Sequence, residues 1–241
     1  MFRTTYLHQL IGNPFAGSLT VSHASDFLLD PGRRVTHDEL AALKAVPYVV
    51  DLRHGRTLYA VGIDVEQARQ ASFLYFYLRG AAREVLSVPW EWGRVYPRQH
   101  RFDTIFLFSP GRCGSTLLNN ILVAAGAESV SEPDIYQAFL SRTYLRAPPM
   151  RPVLRYAVRN ATEDIATLFG TLGRPFIIKL RLELCQVPRA ILACGSQPAK
   201  SIFLTRRFET WAKSMAQAFD ISPQRIILHY KRSLDCYTYL N

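Results

Sequence analysis

The sequence predicts an α/β fold in which a central parallel sheet is flanked by helices in three layers, preceded by an N-terminal extension containing a hairpin and a helix. Three short apolar runs, separated by stretches with helical periodicity, indicate the buried strands of such a sheet. At 241 residues and 49% hydrophobic content, the chain is long enough to bury a large core. No apolar run approaches the roughly 18 residues of a membrane span, so none is expected.

The first 100 residues form the predicted extension, which carries no recognisable chemical motif. Turn-forming residues dominate residues 1–45, where we expect loops and short helical pieces. Two β-rich runs, 47–52 and 57–61, flank Gly55 and predict a hairpin. Apolar residues then recur at helical spacing to about Val85, starting from Asp64 as the N-cap, and predict a helix.

The core domain is predicted to span residues 101–241. Its three predicted strands are residues 104–108, 176–180 and 201–205, and the stretches between them are typical of covering helices. The predicted helices are residues 115–125, 134–145, 153–172, 209–219 and 223–239.

Charge and composition limit the classes of ligand. The formal net charge of +10 indicates an anionic partner. The arginines are spread along the chain without a basic block, which disfavours nucleic acid and a polybasic membrane contact and favours a distributed site for a small anion. No secretory signal is recognisable, so a cytoplasmic location is expected. The four cysteines and six histidines lack metal-ligand spacing, which predicts reduced thiols and no metal site.

A glycine-containing loop follows the first predicted core strand and leads into a helix. This arrangement aims backbone N–H groups at an anion. Gly111 and Gly114 permit close backbone approach, Ser115 and Thr116 add hydroxyl donors, and Arg112 adds a forked cation. No lysine precedes the hydroxyl pair, which disfavours a magnesium-dependent NTPase or P-loop kinase. A plain glycine turn is the alternative. The whole run is Ser109-Pro110-Gly111-Arg112-Cys113-Gly114-Ser115-Thr116.

The run from Arg112 to Leu118 resembles the 5′-phosphosulfate loop of the sulfotransferases, in which a basic residue precedes a small-Gly-Ser/Thr-Ser/Thr turn. The resemblance implies a P-loop-like nucleotide-binding core and 3′-phosphoadenosine 5′-phosphosulfate (PAPS) as the sulfuryl donor, without a metal. It further implies transfer to a hydroxyl or amine of a small-molecule or glycan acceptor. The residues implied to bind the donor here are Gly111, Arg112, Cys113, Gly114, Ser115 and Thr116.

A second element, residues 202–206 with Ser214 in the next predicted helix, resembles the 3′-phosphate site of the same family. There an arginine at a strand end and a serine in the following helix hold the phosphate, which implies these roles for Arg206 and Ser214. Arg207 and Phe208 stand where the family usually has Asp-Pro, so Arg207 competes for the role of Arg206. A surface arginine is the alternative for either. The resemblance covers residues 101–219.

Two further residues complete the expected catalytic set with Arg112. Glu132 lies in a segment that resembles the Glu-containing segment of carbohydrate and tyrosylprotein sulfotransferases, which implies a general base. A structural glutamate at a helix N-terminus is the alternative. Lys179 ends a predicted strand, where parallel sheets open onto a ligand crevice, and can neutralise charge on a bridging oxygen. The alternative is that Lys179 and Arg181 are solvated residues at the end of the strand.

One departure from the family pattern concerns the C-terminal part. No glycine follows Gly195, so the glycine-bearing loop that often covers the nucleotide is missing. Three explanations stay open: the predicted helix 223–239 covers the adenine, the sequence is truncated, or the chain is a nucleotide-binding module without efficient turnover. The acceptor is not specified, because the pocket residues of such folds come from variable loops. The positive charge favours an acidic or sugar-like acceptor, whereas Tyr136, Phe139 and Tyr144 suit either a phenolic or lipid-like acceptor or the core.

Overall fold

The computed structural model describes residues 4–97, 102–141, 144, 146–195 and 199–218. Over these ranges the chain is an α/β protein with one antiparallel and one parallel sheet. The antiparallel sheet belongs to the N-terminal part and has six strands. They are β1 (Tyr6–Gly12), β2 (Leu28–Leu29), β3 (Arg33–Arg34), β4 (Val46–Asp51), β5 (Arg56–Val61) and β6 (Glu84–Pro89).

The antiparallel sheet has the order β2-β1-β6-β5-β4, and β3 also pairs with β1. The predicted hairpin is confirmed as β4 and β5, with Gly55 at φ 65° in its turn. The rest of the sheet was not predicted, and β6 occupies a central place between β1 and β5. The three short helices of this part are α1 (His37–Ala42), α2 (Val65–Gln70) and α3 (Leu74–Ala81).

The single helix predicted from Asp64 to about Val85 is wrong. The N-cap is confirmed, because the Asp64 side chain accepts hydrogen bonds from two backbone N–H groups of α2. The helix stops at Ala71, whose backbone is extended (ψ 127°), and restarts after Phe73 as α3. Val85 then lies in β6, because pairing with two neighbouring strands outweighs the local helical spacing.

The parallel sheet has the order β10-β7-β9-β8, and every neighbouring pair is parallel. Three of its strands were predicted to within two residues, whereas the short and polar β8 was not. The strands are β7 (Thr104–Phe108), β8 (Glu128–Ser131), β9 (Phe176–Lys179) and β10 (Lys200–Phe203).

The α-helices with described bounds that accompany the parallel sheet are α4 (Ser115–Ala124), α5 (Met150–Phe169), α6 (Pro188–Leu192) and α7 (Phe208–Ala218). The predictions for α4, α5 and α7 are confirmed within three residues. The predicted helix 134–145 is instead a 3-10 helix, Asp134–Leu140, over its described first half. The predicted helix 223–239 lies outside the described residues. None of the helices in the described ranges is long and apolar enough to cross a membrane.

A shared core joins the two sheets. One cluster of buried apolar residues includes Tyr48 and Leu58 from the antiparallel sheet and Phe106 and Ile178 from the parallel sheet. The long helix α5 contributes to the same cluster and also carries the fully buried Asp164. The Asp164 carboxylate accepts hydrogen bonds from the Tyr59 hydroxyl at 2.9 Å and from the Val95 and Tyr96 N–H groups at 3.1 Å each. Residues 4–97 therefore pack directly on the described part of residues 102–218.

The buried Asp164 predicts a specific pH dependence of stability. Burial raises the pKa of Asp164 to about 6, although its hydrogen bonds act in the opposite direction. An aspartate in an unfolded chain titrates near roughly 3.9. The folded protein therefore holds this proton more tightly, and the stabilisation that results is complete below about pH 4 and is lost as the pH rises through about 6.

We expect the free energy of unfolding of the wild type to fall, relative to an Asp164→Asn variant, between about pH 4 and pH 7. Urea denaturation of both proteins across this range measures the difference, in which the other titrating groups cancel. An equal pH dependence of the two proteins would show that Asp164 does not carry the effect.

Candidate functional site

The candidate site lies at the carboxyl edge of the parallel sheet. The connection that leaves β7 leads to β8 on the far side of β9, whereas the connection that leaves β9 leads to β10 on the far side of β7. These two connections therefore run in opposite directions along the sheet, and open α/β sheets bind ligands in a crevice at the carboxyl ends of strands where the connections reverse direction. The loop 109–114 and the residues after β9 lie at this edge of the sheet.

The loop between β7 and α4 has an unusual backbone. Gly111, Arg112 and Gly114 have φ values of 81°, 53° and 85°. A left-handed arginine costs of order 1–3 kcal/mol, and strain of this kind clusters at functional sites. In the described part of the chain, only three non-glycine residues have positive φ: Lys44, Arg112 and Glu132. Two of these three are predicted site residues.

The loop also offers unused hydrogen-bond donors. Among the described residues, none of the backbone N–H groups from 111 to 117 donates to a backbone carbonyl. The next one, the Leu118 N–H, donates to the Gly114 carbonyl. The buried Ser109 hydroxyl likewise has no partner within the described ranges. Unpaired donors beside a helix N-terminus form a site for a tetrahedral anion. The predicted residues Cys113, Ser115 and Thr116 lie in this same segment.

Residues of α7 hold the loop from outside. The Trp211 indole N–H lies 3.3 Å from the Pro110 carbonyl oxygen and 3.1 Å from that of Gly111, and it donates to both. These bonds tie the Pro110 and Gly111 carbonyl groups to α7. The N–H groups of the loop are left for a ligand. Sequence reasoning missed Trp211, because nothing local to residue 211 indicates a contact with residue 110.

The two separated motifs of the sequence meet at this loop. Arg112 Nε donates to Ser214 Oγ at 3.3 Å, across 102 positions of the chain. Arg206 follows β10 in a loop, and its Nη1 donates to the Arg112 carbonyl oxygen at 3.1 Å. Both guanidinium groups belong to exposed residues. Arg207 is exposed as well. Its carbonyl accepts the backbone N–H of Trp211 at 2.9 Å, so Arg207 stands at the start of α7.

Lys179 and Glu132 form an ion pair at the end of β9. Lys179 Nζ lies 2.9 Å from Glu132 Oε1 and donates to Ser131 Oγ at 3.1 Å. The Glu132 N–H in turn donates to the Lys179 carbonyl at 2.7 Å. Lys179 is only 4% exposed, so the alternative of a solvated strand-end residue is wrong. Sequence reasoning missed Ser131, although it directly precedes Glu132.

The environment of Glu132 makes it a stronger base than a solvated glutamate. Burial raises the pKa of Glu132 above its ordinary value, although the neighbouring Lys179 acts to lower it. A carboxylate with a raised pKa accepts a proton more readily near neutral pH. The geometry therefore suits a proton acceptor that is held in place by a cation.

Arg181 is also buried, at 7% exposure, and the solvated alternative is wrong for this residue too. Its Nη1 donates to both oxygens of Asp134, at 3.2 and 3.3 Å. Asp134 also accepts the Ser22 N–H at 2.8 Å, and the Arg181 guanidinium lies 4.5 Å from the centre of the Tyr75 ring. This cation is neutralised inside the protein and supports the crevice. Sequence reasoning missed Asp134.

The candidate site thus contains two groups of residues. The first is the anion loop, Ser109–Thr116, which follows β7 and is contacted by Arg206 and Ser214. The second is the ion pair of Lys179, the last residue of β9, with Glu132, which directly follows β8. Within the described ranges the two groups share no hydrogen bond, but they belong to neighbouring strands in which Leu107 pairs with Lys179. Cys113, Cys185 and Cys194 are free thiols, and Cys236 lies outside the described residues. No cluster of metal-ligating side chains occurs among the residues that the structure describes.

No protein-family model, no curated protein and no solved structure matches this chain.

Proposed function

We propose that the protein is a sulfotransferase that moves a sulfuryl group from PAPS to a hydroxyl or amine acceptor. The observation that carries the proposal is the meeting of the two motifs. Arg112 in the loop after β7 contacts Ser214 at 3.3 Å, and Arg206 contacts the Arg112 carbonyl at 3.1 Å. Two cations and a hydroxyl group beside a loop of free N–H groups suit a ligand with two separate anionic groups, as in this nucleotide.

The loop residues suit the 5′ end of such a donor. The N–H groups from 111 to 117 and the unpartnered Ser109 hydroxyl supply donors for a phosphosulfate. A side chain on Gly114 would meet no other atom within 4 Å, so its glycine is required by its φ of 85° rather than by space. Arg206 and Ser214 are assigned to the 3′-phosphate. The donor supplies an activated sulfuryl group, whose sulfur–oxygen bond to phosphate breaks in the reaction.

Glu132 and Lys179 are assigned to proton and charge transfer. Glu132 accepts the proton of the acceptor group while the acceptor oxygen or nitrogen forms its bond to sulfur. Glu132 Oε1 is held by Lys179 at 2.9 Å, so we assign the proton to the other oxygen, Oε2. Lys179 opposes the negative charge that develops on the phosphate oxygen as the nucleotide leaves. Arg112 and the loop N–H groups stabilise the transferring group.

A second candidate function is a nucleotide-binding module without turnover. The Lys179–Glu132 ion pair favours this candidate in one respect, because a carboxylate in a salt bridge also serves a structural purpose. Both candidates require the nucleotide site, and only the enzyme requires Glu132 as a base. A P-loop kinase is disfavoured, since no lysine precedes Ser115.

Calorimetric binding of 3′-phosphoadenosine 5′-phosphate tests the nucleotide site. Arg112→Ala and Arg206→Ala are each expected to weaken binding by roughly 1.5–3 kcal/mol, because each removes hydrogen bonds to a charged group. Arg207→Ala is the matched control, since it removes the neighbouring exposed arginine and leaves the loop contacts intact. It should leave the affinity nearly unchanged.

Two results would overturn the nucleotide site. The first is a folded wild type that does not bind the nucleotide. The second is an Arg207→Ala variant that loses as much nucleotide affinity as Arg206→Ala. In that case both arginines contribute only nonspecific positive charge.

A further inference from the structure

A large cavity lies against the antiparallel sheet, apart from the anion loop. Its volume is about 1430 Å³, above the roughly 300–1,000 Å³ of most small-molecule sites. Strands β1, β5 and β6 contribute to its lining, together with the 3-10 helix 134–140 and the first turns of α5. None of the loop residues 109–116 is part of this lining. A ligand in this cavity is therefore separate from an anion at the loop.

The cavity has an extensive apolar wall. Leu58 and Trp90 are 5% and 7% exposed and lie in its interior part. Val153 and Tyr156, on successive turns of α5, also line it but are 41% and 50% exposed. Large exposed apolar side chains beside a cavity indicate a surface that a ligand covers.

A half-buried cation of the lining, Arg56, stands outside the ion pairs of the described residues. Arg56 is half-buried and donates to the Thr4 carbonyl, and its guanidinium lies 5.3 Å from the centre of the Tyr6 ring. It forms no ion pair with any carboxylate in the described part of the chain. The nearby Asp51 is already engaged, because its carboxylate binds His54 Nδ1 at 2.7 Å. A partly desolvated guanidinium that forms no direct ion pair favours an anionic ligand.

Two residues of the lining, Trp90 and Gln137, each carry a buried N–H donor without a partner in the described part of the chain. Trp90 Nε1 and Gln137 Nε2 are buried and form no hydrogen bond within the described ranges. Both are N–H donors, so both require an acceptor oxygen rather than a second donor. Since buried polar atoms are nearly always hydrogen-bonded, these two atoms point to a missing acceptor.

We propose that this cavity binds a carboxylic acid with a long apolar tail. Arg56 binds the carboxylate, Trp90 and Gln137 supply additional N–H donors, and the tail lies along Leu58 and Val153. The large volume and the apolar wall select an extended chain over a compact polar ligand. This site does not depend on sulfuryl transfer, because its lining contains no residue of the anion loop.

Dodecanoate and its neutral analogue dodecanol test the proposal by calorimetry, at concentrations below micelle formation. The wild type should bind dodecanoate more tightly than dodecanol. Arg56→Gln is expected to lower the affinity for dodecanoate roughly tenfold or more and to leave the affinity for dodecanol nearly unchanged. Arg189→Gln, which removes an exposed arginine of α6, is the matched control and should bind dodecanoate like the wild type.

Val153→Glu provides a second variant at an exposed helix position, where folding is not at risk. The new carboxylate repels the ligand's carboxylate, so it should lower the affinity for dodecanoate at least as strongly as Arg56→Gln does. The proposal is overturned if the folded wild type does not bind dodecanoate, if it binds both ligands equally, or if Val153→Glu retains wild-type affinity. Arg56→Gln should also bind 3′-phosphoadenosine 5′-phosphate normally, which separates this site from the nucleotide site.

Discussion

Sulfuryl transfer by a Glu132→Gln variant is expected to be about 10²–10⁴-fold slower than that of the wild type, the range that a positioned general base contributes. Glutamine keeps the size of the side chain and can still accept a hydrogen bond from Lys179, which lies 2.9 Å from Glu132 Oε1. It cannot take a proton from the acceptor. Release of 3′-phosphoadenosine 5′-phosphate from PAPS, measured with a panel of hydroxyl and amine acceptors, gives the rate.

The control is Glu128→Gln, at the opposite end of β8. Glu128 is engaged by Arg69 at 2.8 Å and Arg174 at 3.2 Å, away from the carboxyl edge of the sheet. This variant should keep its turnover. Nucleotide affinity should be unchanged in both variants, which separates loss of the base from loss of the nucleotide site.

The pH profile adds a readout that a structural role would not produce. Because burial raises the pKa of Glu132, the rate of the wild type should rise with pH as this carboxyl group loses its proton. The acidic limb should be absent in Glu132→Gln. A Glu132→Gln variant with near wild-type turnover would remove Glu132 as the base. A wild type that binds the nucleotide but turns over no acceptor in the panel would favour the non-catalytic module.

The second large effect concerns the buried pair of Arg181 and Asp134. Asp134→Ala is expected to lower the free energy of unfolding by about 3–5 kcal/mol, because it leaves a buried guanidinium without its carboxylate. The side chains of Arg181 and Asp134 are 8% and 0% exposed, and the Ser22 N–H loses its acceptor as well. Urea denaturation at neutral pH measures the change.

An exposed pair provides the comparison. Arg33 and Glu39 lie 2.9 Å apart with side chains 57% and 41% exposed, so Glu39→Ala should cost no more than about 1 kcal/mol. Similar losses in the two variants would mean that burial does not strengthen the dependence of Arg181 on Asp134. A small loss in Asp134→Ala alone would mean that Glu183, 3.5 Å from Arg181, replaces it.

Local patterns predicted the elements that depend on local sequence. The strand–loop–helix around Gly111 and the long helix α5 follow from apolar spacing and from glycine, both visible within short windows. The hairpin around Gly55 follows in the same way. The strands β1 and β6 were missed because their central positions come from pairing with each other and with β5, which no window contains.

The candidate site was predicted unevenly for a related reason. The family resemblance implied that Arg112 and Ser214 bind the same nucleotide. Their direct contact was not predicted, since no local rule connects residues 102 positions apart. The burial of Lys179 and Arg181 contradicts the usual exposure of charged residues. Each of these residues has an acidic partner 47 positions earlier in the chain, and those partners permit its burial.

The same long-range contacts determine when the anion loop can form during synthesis. Arg112 reaches its final contacts only after Arg206 and Ser214, 94 and 102 positions later, have left the ribosome. Before that, β7 gains its parallel neighbours only as β9 and then β10 emerge, and closing such long loops is slow. A nascent chain that ends before α7 therefore carries the complete loop sequence without the loop's structure. Under the proposed function, nucleotide affinity is therefore acquired only after α7 has been synthesised.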